Sequence, residues 1–294
     1  MRKNVGRFID DAAEARFKQA FDRAMTSWPT RVDLEITTSF GRTVASTVEG
    51  PSDGTPVLLL PGGGSTIAPW GPFAEAWSAD RTVIAVDTIW DAGRSVQTKP
   101  IPSGIEAAAW LNETLDGLGL EVVHIVGFSY GAWVCVNQLV HDPAKLRSVT
   151  AIEPPGTITG LPWRTWAKML RMLLGDEDQY LSYLAWVRGG KLPESATLDL
   201  LMASKREFVQ RGTPRPERLT KAQWRTLNTP LSVLLSGRSR FISRRAANIV
   251  RRSAPSAQVR VFPQASHALL VDEPDAIIHH VRDFLREHDS THYS

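Results

Sequence analysis

Hydrophobic positions change their period several times along the chain, and each change marks an element. Residues 7–28 place Phe8, Ala12, Ala15, Phe17, Ala20, Phe21 and Met25 at spacings near three and four, which predicts an amphipathic helix. VDLEITTS and TVASTVEG then alternate β-branched with polar residues around FGR, which predicts an antiparallel hairpin. The next runs, VLLLP and RTVIAVD, are short and unbroken, as are the apolar cores of VVHIVGFS, LRSVTAIEPPG, PLSVLLSG and AQVRVFPQ. Unbroken runs bounded by turn residues suit strands covered on both faces. Helical stretches separate them, among them EAAAWLNETLDGLG, GAWVCVNQLVHDP, RRAANIVRRSA and DAIIHHVRDFLREH. Strand–helix alternation of this kind predicts an α/β fold with a doubly wound, mostly parallel sheet.

One segment breaks the rhythm. From Pro154 to about Pro230 no strand is expected, only helical material rich in large residues: LPWRTWAKMLRMLL, DQYLSYLAWVRGG and LDLLMASKREFVQ. The expected organisation is an N-terminal helical extension over 1–28, a core made of 29–154 and 228–294, and a helical lid insertion over 155–227. Trp163, Trp166 and Trp186, with Tyr180 and Tyr183, are expected to line an apolar pocket under that lid, either as substrate contacts or as the lid's own core.

The strand VVHIV and the helical AWVCVNQLV meet at Gly127-Phe128-Ser129-Tyr130-Gly131, a G-x-S-x-G match on a strand-to-helix turn. Such a turn strains the serine backbone and lifts its hydroxyl above the sheet at a helix N-terminus, while small flanking residues let strand and helix approach. A serine hydroxyl needs a base to become a nucleophile. His267 lies in a polar loop between the strand VRVFPQ and a Pro-bounded helix, whereas the other histidines fall in the last helix or tail, inside a strand, or at a helix end. The glycine-rich LLLPGGGST follows a central strand, so the amide of Gly63 or a neighbour can join that of Tyr130 as an oxyanion hole. It lacks the lysine of a phosphate-binding loop.

Composition narrows the partners. A formal net charge of +3 and 43% hydrophobic residues describe a globular chain without a nucleic-acid footprint. Arg238, Arg240, Arg244, Arg245, Arg251, Arg252 and Arg260 cluster locally, readable as a solvated face or as an anion site. The lone Cys135 lies in an apolar helix and reads as a packed core thiol. With no signal-peptide pattern and no apolar span long enough for a membrane, a cytoplasmic protein with a small-molecule substrate is expected. Neither a metal nor a cofactor is called for.

The order PGGG, DTIWDAGRS, GFSYGAW, helical insertion, ASHALLVDEPDAI resembles the α/β-hydrolase superfamily over roughly residues 30 to 288, and among its members the lidded esterases, including bacterial carboxylesterases with a similar N-terminal helix. The resemblance implies Ser129 as nucleophile, His267 as base and an oxyanion hole near Gly63. It also implies an acid about three residues beyond the glycine of PLSVLLSG, where this chain reads Gly237-Arg238-Ser239-Arg240-Phe241 and offers no carboxylate. From Leu227 to His267 there is no Asp or Glu. Glu153, ending the preceding strand, is the alternative acid, since some members of the superfamily carry theirs at that strand end; the competing reading has it capping the lid hinge or pairing with Arg240. Asp87 is expected to bind backbone amides, and Asp272 and Asp275 to cap turns.

The expected function is therefore hydrolysis of an ester, or of a thioester or lactone, of a mainly apolar small molecule through an acyl-enzyme. Two alternatives share the scaffold: a cofactor-free lyase, cyclase or tailoring enzyme, and a binding protein without catalysis.

Overall fold

The computed structural model describes residues 4–289. Its main sheet is carried by β1 (Val32–Thr38), β2 (Gly41–Val48), β3 (Val57–Leu60), β4 (Val83–Val86), β5 (Val123–Phe128), β6 (Leu146–Ile152), β7 (Leu231–Ser236) and β8 (Gln258–Phe262). Their spatial order is β8-β7-β6-β5-β3-β4-β2-β1, parallel from β8 to β4 and antiparallel at β2 and β1. Val96–Gln97 adds a short antiparallel rung to β2.

The unbroken apolar runs follow from the twofold period of a strand between two covered faces. Leu58 and Leu60 of β3 enter one core cluster while Val57 and Leu59 enter the other, and Ile84 and Val86 of β4 divide from Val83 and Ala85 in the same way. The helices that cover these faces begin with α1 (Asp11–Ala24), α2 (Gly71–Ser78), α3 (Gly104–Gly117) and α4 (Tyr130–His141). After β6 come α5 (Trp163–Leu174), α6 (Glu177–Val187), α7 (Ser195–Glu207) and α8 (Lys221–Arg225); α9 (Ala246–Ser253), α10 (Leu269–Asp272) and α11 (Pro274–Asp289) complete the described chain. Trp110 of α3, Trp133 and Cys135 of α4 and Val250 of α9 pack on one face of the sheet. Phe17 and Phe21 of α1, Trp77 of α2 and Val281 of α11 pack on the other.

Two expectations need correction. The first helix starts only at Asp11, because the Asp10 side chain accepts the Ala13 amide at 2.7 Å and caps it there. Phe8 is therefore not helical: Arg7–Phe8 pairs antiparallel with Phe208–Val209, a ladder inside the stretch expected to hold no strand. Two residues are too few to show a period.

At the end of the sheet where β5 begins, Arg81 donates from both terminal nitrogens to the Asp289 carboxylate at 2.8 and 2.9 Å. The buried His124 ring bridges Asp289 and Ser148 at 3.1 and 2.7 Å, locking the end of α11 under the strands. Among the described residues no helix is long and apolar enough to cross a membrane.

Candidate active site

Ser129 stands between β5 and α4 with φ +52° and ψ −117°, a conformation that few non-glycine residues adopt. The two glycines of GFSYG make the turn possible. A Cβ on Gly127 would stand 2.3 Å from the Gly131 carbonyl oxygen, and one on Gly131 would stand 2.4 Å from the Leu60 carbonyl oxygen, so backbone passes against backbone on both sides. The Ser129 amide donates to the Ile152 carbonyl at 2.8 Å, which ties the elbow to the end of β6.

One residue further along, Glu153 also has a positive φ, +55°, and is completely buried. Three donors satisfy its carboxylate. The Ser236 amide reaches Oε1 at 2.6 Å, and Oε2 accepts from the Ser239 hydroxyl at 2.5 Å and from His267 Nδ1 at 2.9 Å. A desolvated carboxylate is tolerated only when hydrogen-bonded in this way. Its pairing with Arg240, one of the sequence alternatives, does not form: the Arg240 guanidinium lies over the Trp186 ring, 5.5 Å from its centroid.

His267 turns its other nitrogen, Nε2, to Ser129 Oγ at 2.9 Å. A neutral imidazole with its proton on Nδ1 donates to Glu153 and accepts from the serine hydroxyl. The ring is held between Phe241, with centroids 4.2 Å apart, and Phe128, at 5.4 Å. The preceding residue is pinned as well, since the Ser266 amide and hydroxyl both donate to Asp272 Oδ2 at 2.6 Å. Asp272 thus holds the histidine loop.

The glycine-rich loop passes alongside. A Cβ on Gly62 would stand 3.5 Å from that of Ser129, and one on Gly63 would stand 3.2 Å from that of Tyr130. Tyr130 is the first residue of α4, so its amide has no partner within the helix. Its phenol donates to the Pro214 carbonyl, and burial pushes that hydroxyl well above its ordinary pKa. Two buried acids stabilise the loop from below. Asp87 accepts the Ile67 amide at 2.8 Å, as expected for that position. Asp91 accepts the Gly64 amide at 3.3 Å and the Thr88 hydroxyl at 2.8 Å, and takes a further bond from Gln210. Burial pushes both carboxyls up to about 6.

The three tryptophans separate. Trp186 reaches the site's surroundings, its ring 6.3 Å from that of Phe241, which packs on His267. Trp163 and Trp166 do not line a pocket: they are 73% and 58% exposed. The reason is the rotation of α5, whose inward face carries Thr165, bonded through its hydroxyl to the Arg240 carbonyl, and Met169, packed on the core. On a helix of 3.6 residues per turn Trp166 falls at the outer flank of that face and Trp163 farther round still, so both rings turn to solvent. Of the arginine cluster, Arg251 donates to the Val259 carbonyl at 3.2 Å, Arg260 is stacked on Phe262 at 5.0 Å, and Arg238 and Arg244 line one cavity. A cavity of about 460 Å³ bounded by Ser236, Arg238, Ile242 and Val261 includes neither Ser129 nor His267 in its lining.

Sequence reasoning missed Ser239 and Phe241. Ser239 carried a signal, since it occupies the stretch after PLSVLLSG where the resemblance implies an acid; a hydroxyl there was not read as the partner of an acid elsewhere.

Comparison with known proteins agrees with this layout. Residues 57–280 match the alpha/beta hydrolase family. Carboxylesterase YbfK of Bacillus subtilis is 27% identical over 282 residues, covering 92% of this chain and 93% of that protein. An uncharacterised carboxylesterase, nap, of the same organism is 25% identical over 284 residues, covering 92% of each. The crystal structure of naproxen esterase from Bacillus subtilis superposes with a TM-score of 0.86 at 22% identity, covering 94% of this chain and 99% of that one. With the family spanning most of the sheet, the elbow and the histidine loop, this chain belongs to the alpha/beta hydrolase family.

Proposed function

We propose that the protein is a carboxylic ester hydrolase that works through an acyl-enzyme on Ser129. The observation that carries the reading is the unbroken relay from Ser129 Oγ through His267 to Glu153, with 2.9 Å at each step. Ser129 attacks the ester carbonyl while His267 Nε2 takes the hydroxyl proton. Positive charge then develops on the imidazole, and the Glu153 carboxylate stabilises it through Nδ1. The amides of Gly63 and Tyr130 hold the oxyanion, the alcohol leaves with the proton from His267, and water repeats the sequence to free the acid.

The carboxylesterase names of the two Bacillus relatives support the reaction class. Residues 155–227 act as a lid over the core formed by 29–154 and 228–294, tied down by the Tyr130–Pro214 and Thr165–Arg240 bonds. The aromatic wall of Trp186 and Phe241 favours a mainly apolar substrate. The contact of Glu153 with His267 Nδ1 supports catalysis over the binding-only alternative.

The test is turnover of short p-nitrophenyl esters together with labelling by a fluorophosphonate. The parent turns over and gains one adduct on Ser129, and Ser129→Ala loses both. Turnover undiminished in a folded Ser129→Ala protein overturns the mechanism.

A further inference from the structure

The segment from Phe208 to Pro214, between α7 and α8, joins four parts of the chain that lie far apart in sequence. Phe208–Val209 pairs with Arg7–Phe8, and the Phe8 and Phe208 rings meet edge to face at 5.1 Å. Gln210 donates through Nε2 to Asp91 Oδ1. The Gly212 carbonyl accepts the Ile101 amide at 3.2 Å and the Gln97 side-chain amide at 3.4 Å, and Gln97 in turn accepts the Gly6 amide at 3.0 Å. The Pro214 carbonyl accepts the Tyr130 phenol. Gly212 shows how closely the N-terminal residues lie on this strap: its φ is +64°, and a Cβ there would stand 2.6 Å from the Asn4 carbonyl oxygen.

Two of these bonds end on opposite sides of the oxyanion hole. Asp91 Oδ1, which Gln210 reaches, also accepts the Gly64 amide at 3.3 Å. Within the glycine-rich loop the Ser65 amide donates to the Gly62 carbonyl at 3.1 Å, while the Gly63 amide has no partner among the described residues. On the other side Tyr130 carries the second amide, and its own phenol is the group held by Pro214. One strap therefore grips both donor-bearing segments at once. Oxyanion stabilisation depends on donors that stand in place before charge develops, so that nothing has to reorganise during the reaction. A misplacement of about 1 Å can cost about a hundredfold in rate.

We propose that this strap sets the separation of the Gly63 and Tyr130 amides, which makes Gln210 a positioning residue for the reaction and the N-terminal residues 6–9 its support. The proposal rests on the acyl-enzyme reading and extends it to parts of the chain outside the relay. Gln210 acts through Asp91: without its N–H, Oδ1 keeps only the Gly64 amide, and the glycine-rich loop gains freedom to turn away. The N-terminal residues act one step further back, since the ladder at Phe8 fixes where Gln210 leaves its short strand.

Gln210 is exposed, so replacing it disturbs no core. In Gln210→Ala, kcat on p-nitrophenyl butyrate falls about tenfold while KM stays within about twofold, less than the loss of a whole oxyanion donor because the donor is displaced rather than removed. Inhibition by a trifluoromethyl ketone, whose adduct on Ser129 carries the same oxyanion, weakens by the same factor. Hydrogen exchange at residues 62–65 accelerates, with the melting temperature near the parent's. Phe8→Ala gives the same pattern at smaller size. A folded Gln210→Ala protein with the parent's kcat overturns the proposal, as does a rate loss that leaves affinity for the ketone unchanged. Exchange separates the strap from the reaction itself: a parent that turns over no ester defeats the acyl-enzyme reading, whereas unchanged exchange at 62–65 in Gln210→Ala defeats the strap.

Discussion

Replacing Ser239 by alanine probes how the chain manages with its acid on the neighbouring strand. The Ser239 hydroxyl donates to Glu153 Oε2 at 2.5 Å and accepts the amides of Phe241 and Ile242 at 3.2 Å each. Apart from the histidine, only the Ser236 amide at 2.6 Å also holds the carboxylate. A hydrogen bond to a charged acceptor contributes about 1.5–3 kcal/mol. If roughly half of that keeps Oε2 aimed at Nδ1 as the imidazolium forms, the barrier rises by about 0.75–1.5 kcal/mol and kcat/KM falls roughly four- to twelvefold. KM itself should change little, because the hydroxyl touches the acid rather than the substrate. Glu153→Gln is more severe, about 10³–10⁴-fold in kcat, the cost of losing the anion that fixes the tautomer in other serine triads. The decisive measurement is the double variant, in initial rates on p-nitrophenyl butyrate with melting curves recorded alongside. With no carboxylate left to hold, Ser239→Ala added to Glu153→Gln should cost less than about twofold, a strongly non-additive pair. An equal loss in both backgrounds would show that Ser239 acts through loop stability alone. Full activity in Glu153→Gln would remove Glu153 from the relay.

Other consequences are measurable. Asp91 has a folded pKa of about 6 against 3.8 for the ordinary carboxyl, so its contribution to stability is fully present below 3.8 and lost as pH rises through 6. The stability gap between parent and Asp91→Asn should therefore shrink by about 2–3 kcal/mol across that window, and a gap independent of pH in urea titrations would contradict the assignment. Asp289→Asn leaves the Arg81 guanidinium, with its side chain only 2% exposed, without a charged partner, and should cost about 3 kcal/mol by urea midpoint; a loss under about 0.5 kcal/mol would mean that water already serves the pair. Acidification acts in the same direction there: although burial opposes it, the bonds from His124 and Arg81 hold the Asp289 carboxyl well below its ordinary value, and the stability this brings disappears only as pH falls through that depressed value. Gly131→Ala should lower the melting temperature and the rate together, costing about 1–3 kcal/mol, because its Cβ meets the carbonyl oxygens of Leu60 and Pro61 at 2.4 and 2.5 Å, just before the glycine-rich loop; an unchanged melting temperature would refute that close approach.

Much of this was legible in the letters. Strands covered on two faces must be apolar at every position, so VLLL and VIAV announced the central sheet. The elbow announced itself through glycines that backbone contact makes obligatory. The absence of any carboxylate between Leu227 and His267 pointed to Glu153, and the fold brings it to His267 Nδ1. Other features could not be read. A serine in GRSRF has no spacing that distinguishes a clamp on a distant acid from a loop hydroxyl. The face that α5 turns inward depends on one hydroxyl bond and one methionine, and periodicity reveals that an apolar stripe exists without saying what it meets. That left Trp163 and Trp166 assigned to the wrong side.

Ser129 and Glu153 are the only non-glycine residues with positive φ among the described residues, and each immediately follows one of two adjacent strands. Conformations of this kind cost on the order of 1–3 kcal/mol apiece, which glycine would avoid. Thermal stability and the relay therefore pull in opposite directions at Ser129. A laboratory selection that rewarded only folded, heat-resistant protein would drift toward glycine at 129, whereas at 153 the three donors held by the carboxylate oppose the change. Its winners would be sturdier proteins with the same silhouette and no serine to acylate.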